Sequence, residues 1–262
     1  MNLQPLLNFA TETAYRAGRI TLGYFNVGIR PDYKADDTPV TAADRAAEEF
    51  IRAEIEKRYP THAILGEEFG ENPPSLGGRG DGGEGFRWIL DPIDGTKAFL
   101  RGVPLYGVLI GLEIEGVIKV GAAYFPGTDE MLCAAEGLGA WWNGRPARVS
   151  ATNRLERAYL CYTNERSMEQ HGRGPAWKRL SQAAYEARGW SDAYGYLCVA
   201  TGRAEAMFDP VMNIWDCGPF PVIFKEADGY FGSWDGREGH THNEALACNA
   251  ALKDKLLEII NG

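Results

Sequence analysis

The stretch Trp88-Ile89-Leu90-Asp91-Pro92-Ile93-Asp94-Gly95-Thr96 constrains this chain more than any other segment. An apolar run leads into two carboxylates three positions apart, with a proline between them and a glycine and a hydroxyl behind. The run reads as a buried strand. Pro92 has no N–H, so the ladder is expected to stop there, leaving Asp91 and Asp94 on a loop at the strand's end. Carboxylates aimed at one point repel unless a proton or a cation holds them, and a hard divalent ion such as Mg²⁺ is the usual resolution. The N–H groups of Gly95 and Thr96, if they open a turn or a helix, can hold an anion. A metal beside an anion cradle points to phosphate chemistry.

Charge bears on that reading. The chain has 27 basic and 36 acidic residues, a net charge of −9, and no basic cluster, which argues against nucleic acid as the main partner. A negative protein and a negative substrate are in tension, and bound divalent cations remove it locally. No apolar run approaches the roughly 18 residues of a membrane span. The first ten residues lack a basic n-region and a cleavage site, so the expectation is a cytoplasmic protein with no membrane partner. Cys133, Cys161, Cys198, Cys217 and Cys248 are odd in number and form no Cys-x-x-Cys pair. They read as reduced, mostly buried thiols rather than a disulfide framework or a zinc site.

The 262 residues suffice for one extended domain or two joined halves. Apolar spacing predicts a first helix ending near Gly23 and a second over 41–59. Ala63-Ile64-Leu65 reads as a short strand before Gly66-Glu67-Glu68. Residues 71–85 read as a surface loop. They include Gly78-Arg79-Gly80-Asp81-Gly82-Gly83, a formal dinucleotide-motif match in the wrong context, since a loop precedes it and a strand follows. Strands at 106–112, 117–124 and 131–135, with turn pairs Glu115-Gly116 and Asn143-Gly144, make an antiparallel meander. Beyond it the pattern predicts strands at 159–162, 206–208 and 246–248, and helices at 176–187, 193–201, 215–227 and 252–260. A polar stretch at 150–157 divides an N-terminal half, 1–150, from a C-terminal half, 151–262. Grouped helices and grouped strands favour a layered α+β fold over a Rossmann sheet.

Four acidic sites fall where local structure changes: Asp44, the pair Glu67-Glu68, the pair Asp91 and Asp94, and Asp216 after Trp215. Singly, all but the aspartate pair have a plain structural reading. Thr41-x-x-Asp44 is a capping box, Asp216 suits a helix N-terminus, and the glutamates suit a solvated loop. Together, Gly66-Glu67-Glu68, Asp91-Pro92-Ile93-Asp94-Gly95-Thr96 and Trp215-Asp216 resemble, in order and spacing, the signatures of the inositol monophosphatase family. Thr38-Pro39-Val40-Thr41-Ala42-Ala43-Asp44 resembles its upstream segment, so the likeness spans nearly the whole chain. The resemblance implies an alternating αβαβα layered sandwich, usually a homodimer. It implies two or three Mg²⁺ held by Glu67, Asp91, the Ile93 carbonyl, Asp94 and Asp216. By the same likeness Glu67 and Thr96, with Asp44 behind the threonine, orient and activate water, and the Gly95 and Thr96 N–H groups hold phosphate. No P-loop, H-E-x-x-H or G-x-S-x-G motif competes.

Substrate choice is expected in the second half. Trp190-Ser191-Asp192-Ala193-Tyr194-Gly195-Tyr196 stands where inositol phosphatases carry small residues, and Asp209 stands seven positions before Asp216, where they carry a glutamate. The pattern is more similar to the histidinol-phosphate phosphatase branch. An ammonium and an imidazole suit extra carboxylates and an aromatic wall, which makes Trp190, Asp192 and Asp209 candidates for the substrate's organic end. Trp190 in the core and Asp192 as a helix cap are the structural alternatives. Arg188 suits either the site or a dimer interface. Inositol phosphate, other sugar phosphates, and a regulatory protein without turnover are the competing functions. His240-Thr241-His242 reads as an exposed loop, Lys34 as a solvated loop lysine, and Arg145 as a hairpin-flanking charge.

Overall fold

The computed structural model describes residues 1–28, 31–33, 39–72 and 85–262. Lys34 and the glycine-rich motif at 78–83 lie outside the described residues, as does most of the loop expected at 71–85.

The period-two alternation of buried strands builds the layers. Along Phe86–Asp94, Trp88 and Leu90 join one apolar cluster and Ile89 joins another. The neighbouring strand Gly107–Ile114 does the same, with Val108, Ile110 and Leu112 on one side and Leu109 on the other. Both faces of this sheet are therefore covered. Helices Gln4–Leu22 and Ala42–Arg58 pack on the first face through Ala10, Ala14, Ile51 and Ile55. Helices Ala193–Ala200, Ile214–Cys217 and Phe220–Glu226 pack on the second. Their far side meets a second sheet through Met207, Phe231, Ala245 and Ala247. That sheet's other face, carrying Leu160, Phe208 and Leu246, is closed by Gly174–Ala183 and Lys253–Asn261. The order is helix, sheet, helix, sheet, helix, the expected layered α+β sandwich.

The first sheet has eight strands, in the order Arg145–Pro146, Ala140–Trp142, Glu130–Ala135, Val117–Phe125, Gly107–Ile114, Phe86–Asp94, Ala63–Gly66 and Gly70–Asn72. The expected meander forms its antiparallel part, and among the described residues only Ala63–Gly66 with Phe86–Asp94 is parallel. Glu115-Gly116 and Asn143-Gly144 turn with positive φ at both residues, as two-residue hairpins require. The second sheet runs Glu186–Arg188, Tyr159–Tyr162, Ala206–Asp209, Ala245–Asn249 and Gly229–Gly232, with Tyr159–Tyr162 parallel to both its neighbours.

Four expectations are corrected. Pro92 does not end its strand. The ladder with Gly107–Ile114 resumes at Asp94, with three steps from Asp91 to Asp94 against two from Leu109 to Gly107. The missing donor is absorbed by a bulge, which re-aims the two carboxylates. The helix expected over 176–187 stops at Ala183, because Tyr185 and Glu186 turn their N–H groups to the Ala158 carbonyl and start an edge strand. The helix expected over 215–227 is broken at Gly218-Pro219. There the backbone lies against Gly111 and Gly121, which are paired across adjacent strands. A Cβ on either would come within 2.3 Å of the Gly218 or Pro219 carbonyl oxygen. Finally, His240 is buried rather than exposed. Its Nε2 meets Glu113 Oε2 at 3.1 Å, and Arg87 holds the same carboxylate.

Candidate active site

The bulged end of Phe86–Asp94 opens into a cleft of about 740 Å³ between the two sheets. Each acidic group there is aimed by a local donor. Asp91 Oδ1 accepts the Ile93 N–H at 3.0 Å, and Asp94 Oδ1 accepts the Ala193 N–H at 2.6 Å across 99 residues of chain. Asp216 Oδ2 accepts the Asn213 N–H at 2.8 Å in a capping box, so it is both the helix-start acid expected from sequence and a member of the cluster. Asp91, Asp94 and Asp216 offer carboxylate oxygens that all lie within 4.8 Å of one another. Glu67 lines the same cleft, close enough for its charge to act on Asp91.

Without a counter-charge this arrangement is costly. Burial, then the charges of Glu67, Asp94 and Asp216, push the Asp91 carboxyl well above the usual range. Burial, then Asp192 and Asp216, do the same to Asp94. Burial raises Asp216 to about 6 and Asp209 to about 8. An all-oxygen set of converging carboxylates, with the Ile93 carbonyl beside it, fits a hard divalent cation, whose charge would offset that cost.

Gly95 takes φ +84°, a left-handed conformation that glycine adopts without strain, and starts the short helix Thr96–Leu100. Thr96 Oγ1 donates to the Ile93 carbonyl at 3.1 Å. This corrects one detail, since Asp44 does not hold that threonine. Asp44 stands behind the cleft, with Oδ2 accepting the Thr41 N–H at 2.8 Å and the Thr41 hydroxyl at 2.5 Å, the capping box read from sequence. Its Oδ1 is buried without a partner among the described residues, and burial lifts the carboxyl to about 6.

Of the residues expected at the substrate's organic end, two reach the cleft. Asp192 lines it beside Gly95. Although it precedes helix Ala193–Ala200, its carboxylate caps nothing and accepts the Ser191 hydroxyl at 3.1 Å instead. Ser191 has φ +62°, a strained conformation for a side-chain-bearing residue, and sits on the cleft wall. Asp209 is fully enclosed, held by Tyr196 OH at 2.7 Å and by the Thr163 hydroxyl. Trp190 and Arg188 are not brought to the cleft. Trp190 lies over Tyr159, centroids 6.5 Å apart, and Arg188 is exposed and paired with Glu186 at 3.0 Å.

Several lining residues were not singled out from sequence. Lys97 and Arg101 stand at the exposed rim one helical turn apart, the positive charge that a −9 chain needs near an anion. Their signal was a lysine directly after the Gly-Thr pair. Thr163 and Asn213 act through hydroxyl and amide bonds that no spacing reveals.

Comparison with known proteins agrees with this geometry. The sequence profile of the inositol monophosphatase family matches residues 2–261. A histidinol-phosphatase from Chlorobaculum parvum is 40% identical over 99% of this chain and 98% of its own length. Inositol monophosphatase 3 of Solanum lycopersicum is 31% identical over 99% and 98%. The crystal structure of the extragenic suppressor protein suhB from Bartonella henselae superposes with a TM-score of 0.89 at 27% identity, covering 98% of each chain.

Proposed function

The chain belongs to the inositol monophosphatase family and is a phosphomonoesterase, and from that premise we propose that it is a Mg²⁺-dependent histidinol-phosphate phosphatase. The observation that carries the substrate reading is the position of Asp192, half-buried in the cleft wall beside Gly95 and unused as a helix cap. Asp192 lines the cleft beside Gly95, where it would give a substrate ammonium a charge-assisted acceptor, while the enclosed Asp209 has both oxygens engaged by the Thr163 and Tyr196 hydroxyls. The histidinol-phosphatase at 40% identity supports the same choice.

Glu67, Asp91, the Ile93 carbonyl, Asp94 and Asp216 would hold the cations. When bound, these would neutralise charge on the phosphoryl oxygens and the leaving group. The protein's own share is orientation. Lys97 and Arg101 draw the dianion in, and the Gly95 and Thr96 N–H groups receive its oxygens. The Thr96 hydroxyl, with its proton committed to the Ile93 carbonyl, offers a lone pair to a water, and Glu67 takes a proton from it. The water oxygen bonds to phosphorus as the ester P–O bond breaks, the leaving alkoxide takes a proton from solvent water to become the alcohol, and Glu67 returns its proton to solvent.

Phosphate release across histidinol phosphate, inositol-1-phosphate, fructose-1,6-bisphosphate and a 3′-phosphoadenosine nucleotide tests the reading. Histidinol phosphate is expected to have the highest kcat/KM, with Mg²⁺ required. Equal or better turnover of inositol-1-phosphate would sink it.

A further inference from the structure

Glu48 and Arg52 form a buried ion pair on helix Ala42–Arg58, 2.8 Å from Arg52 Nε to Glu48 Oε1, with exposures of 0% and 6%. Neither touches the cleft, yet both are spent on the loop that carries Glu67. Glu48 Oε2 accepts the Glu68 N–H at 2.8 Å, and Oε1 accepts the Phe69 N–H at 3.3 Å. Arg52 Nη2 donates to the Gly70 carbonyl at 2.5 Å, and its guanidinium lies 5.9 Å from the Phe69 ring centroid. Gly66 lies directly on the pair, since a Cβ there would come within 2.0 Å of Glu48 Oε1 and 2.8 Å of Arg52 Nη2.

Gly66 and Gly70 face each other across the hairpin, so Glu67, Glu68 and Phe69 are its three-residue loop. The Glu67 N–H bonds the Leu90 carbonyl at 3.2 Å, next to Asp91. Every residue of the loop is thus held through its backbone, and Glu67 alone turns its side chain to the cleft wall formed with Asp91, Asp94 and Asp216. A buried ion pair is a poor stabiliser compared with apolar residues of the same volume, because both charges leave water. What this pair adds over apolar packing is the set of fixed hydrogen bonds to one loop.

We propose that Glu48 and Arg52 are positioning residues for Glu67, clamping residues 66–70 so that its carboxylate is presented to the cation site before the cation arrives. The inference rests on the reading of Glu67 as a metal ligand. Supporting shells of this kind are worth about 10–100-fold in metal affinity or activity.

The test uses the full chain. Glu48→Gln leaves one acceptor where two N–H groups and Arg52 need them. Arg52→Lys keeps the charge and loses the fork that spans Glu48 and Gly70. Ile55→Val on the same helix is a control for stability alone. Mg²⁺ affinity is measured by calorimetry, amide exchange at Glu68 and Phe69 is measured without metal, and activity is measured against Mg²⁺ concentration. Both clamp variants are expected to bind Mg²⁺ about 10–100-fold more weakly and to exchange faster at 68 and 69. At saturating Mg²⁺ their KM for histidinol phosphate stays within about twofold, and Ile55→Val changes none of these readouts. Arg52→Lys with wild-type Mg²⁺ affinity and unchanged exchange overturns the proposal, even where Glu48→Gln fails to fold. Glu67→Gln separates the two readings. If it binds Mg²⁺ as wild type does, the ligand assignment falls and the clamp's role falls with it. If it binds weakly while both clamp variants bind normally, only the clamp is refuted.

Discussion

Trp88 donates its indole N–H to His62 Nδ1 at 3.0 Å, which requires that ring nitrogen to carry no proton. The imidazole is stacked between Tyr59 and Phe86, with centroids 4.8 and 4.6 Å away, and burial lowers its pKa from 6.5 to about 4. Between those values the unfolded chain binds a proton that the folded chain refuses. The contribution is therefore complete above about pH 6.5 and is lost as pH falls towards 4. Discounted for a half-buried ring, the loss is on the order of 1–2 kcal/mol. Urea unfolding of wild type and His62→Gln from pH 7 to 4.5 checks it, since glutamine keeps an acceptor for Trp88 but does not titrate. The difference isolates the ring from the raised carboxylates of the cleft, which gain stability over the same window. A pH-independent difference would refute the assignment.

Asp94→Asn should separate stability from activity. It keeps an acceptor for the Ala193 N–H but removes one of the crowded buried charges. Metal-dependent phosphate release is expected to drop on the order of 10³-fold. In chelator the variant should melt about 2–4 °C above wild type, and added Mg²⁺ should stabilise it less. Undiminished phosphate release would remove Asp94 from the site.

Asp192→Asn should raise KM for histidinol phosphate by about 10–100-fold, the worth of a hydrogen bond to a charged group. Turnover at saturation should stay within about threefold, because Asp192 faces the organic end rather than the phosphorus. A matching rise in KM for inositol-1-phosphate would show that the residue does not select the cation.

Gly111→Ala should destabilise the fold by about 2–3 kcal/mol, since its Cβ would meet a backbone oxygen that has no rotamer to yield. The displaced segment follows Asp216 by two residues, so weaker Mg²⁺ binding should accompany the loss. Denaturation midpoints and Mg²⁺ titration of the same variant read both effects. Wild-type stability would mean that the sheet and the Gly218-Pro219 break are not in rigid contact.

Much of the molecule was legible because its signals are local. Asn143-Gly144 and Glu115-Gly116 specify tight turns by backbone conformation alone. Thr41 and Asp44 specify a helix start through a side-chain bond three residues long. The Asp91 to Thr96 segment announces converging carboxylates because proline and glycine force the chain to bend. Where the reading failed, distant backbone had intervened. Pro92 was absorbed because Leu109 to Gly107 stayed in reach, and the 215–227 helix broke on paired glycines more than 90 residues upstream.

The sequence by itself determined the meander, its tight turns and the acidic residues proposed to carry the chemistry. Which of them meet was decided only by packing. The Ala193 N–H reaches Asp94 and the Asp192 carboxylate reaches Gly95 because helix Ala193–Ala200 lies between the two sheets, while Trp190, two residues before Asp192, turns away onto Tyr159. Glu48 and Arg52, an i, i+4 pair on their helix, meet the 66–70 loop only because the hairpin closes over them. Periodicity reports which residues share a face, but a face acquires a partner only when sheets and helices stack.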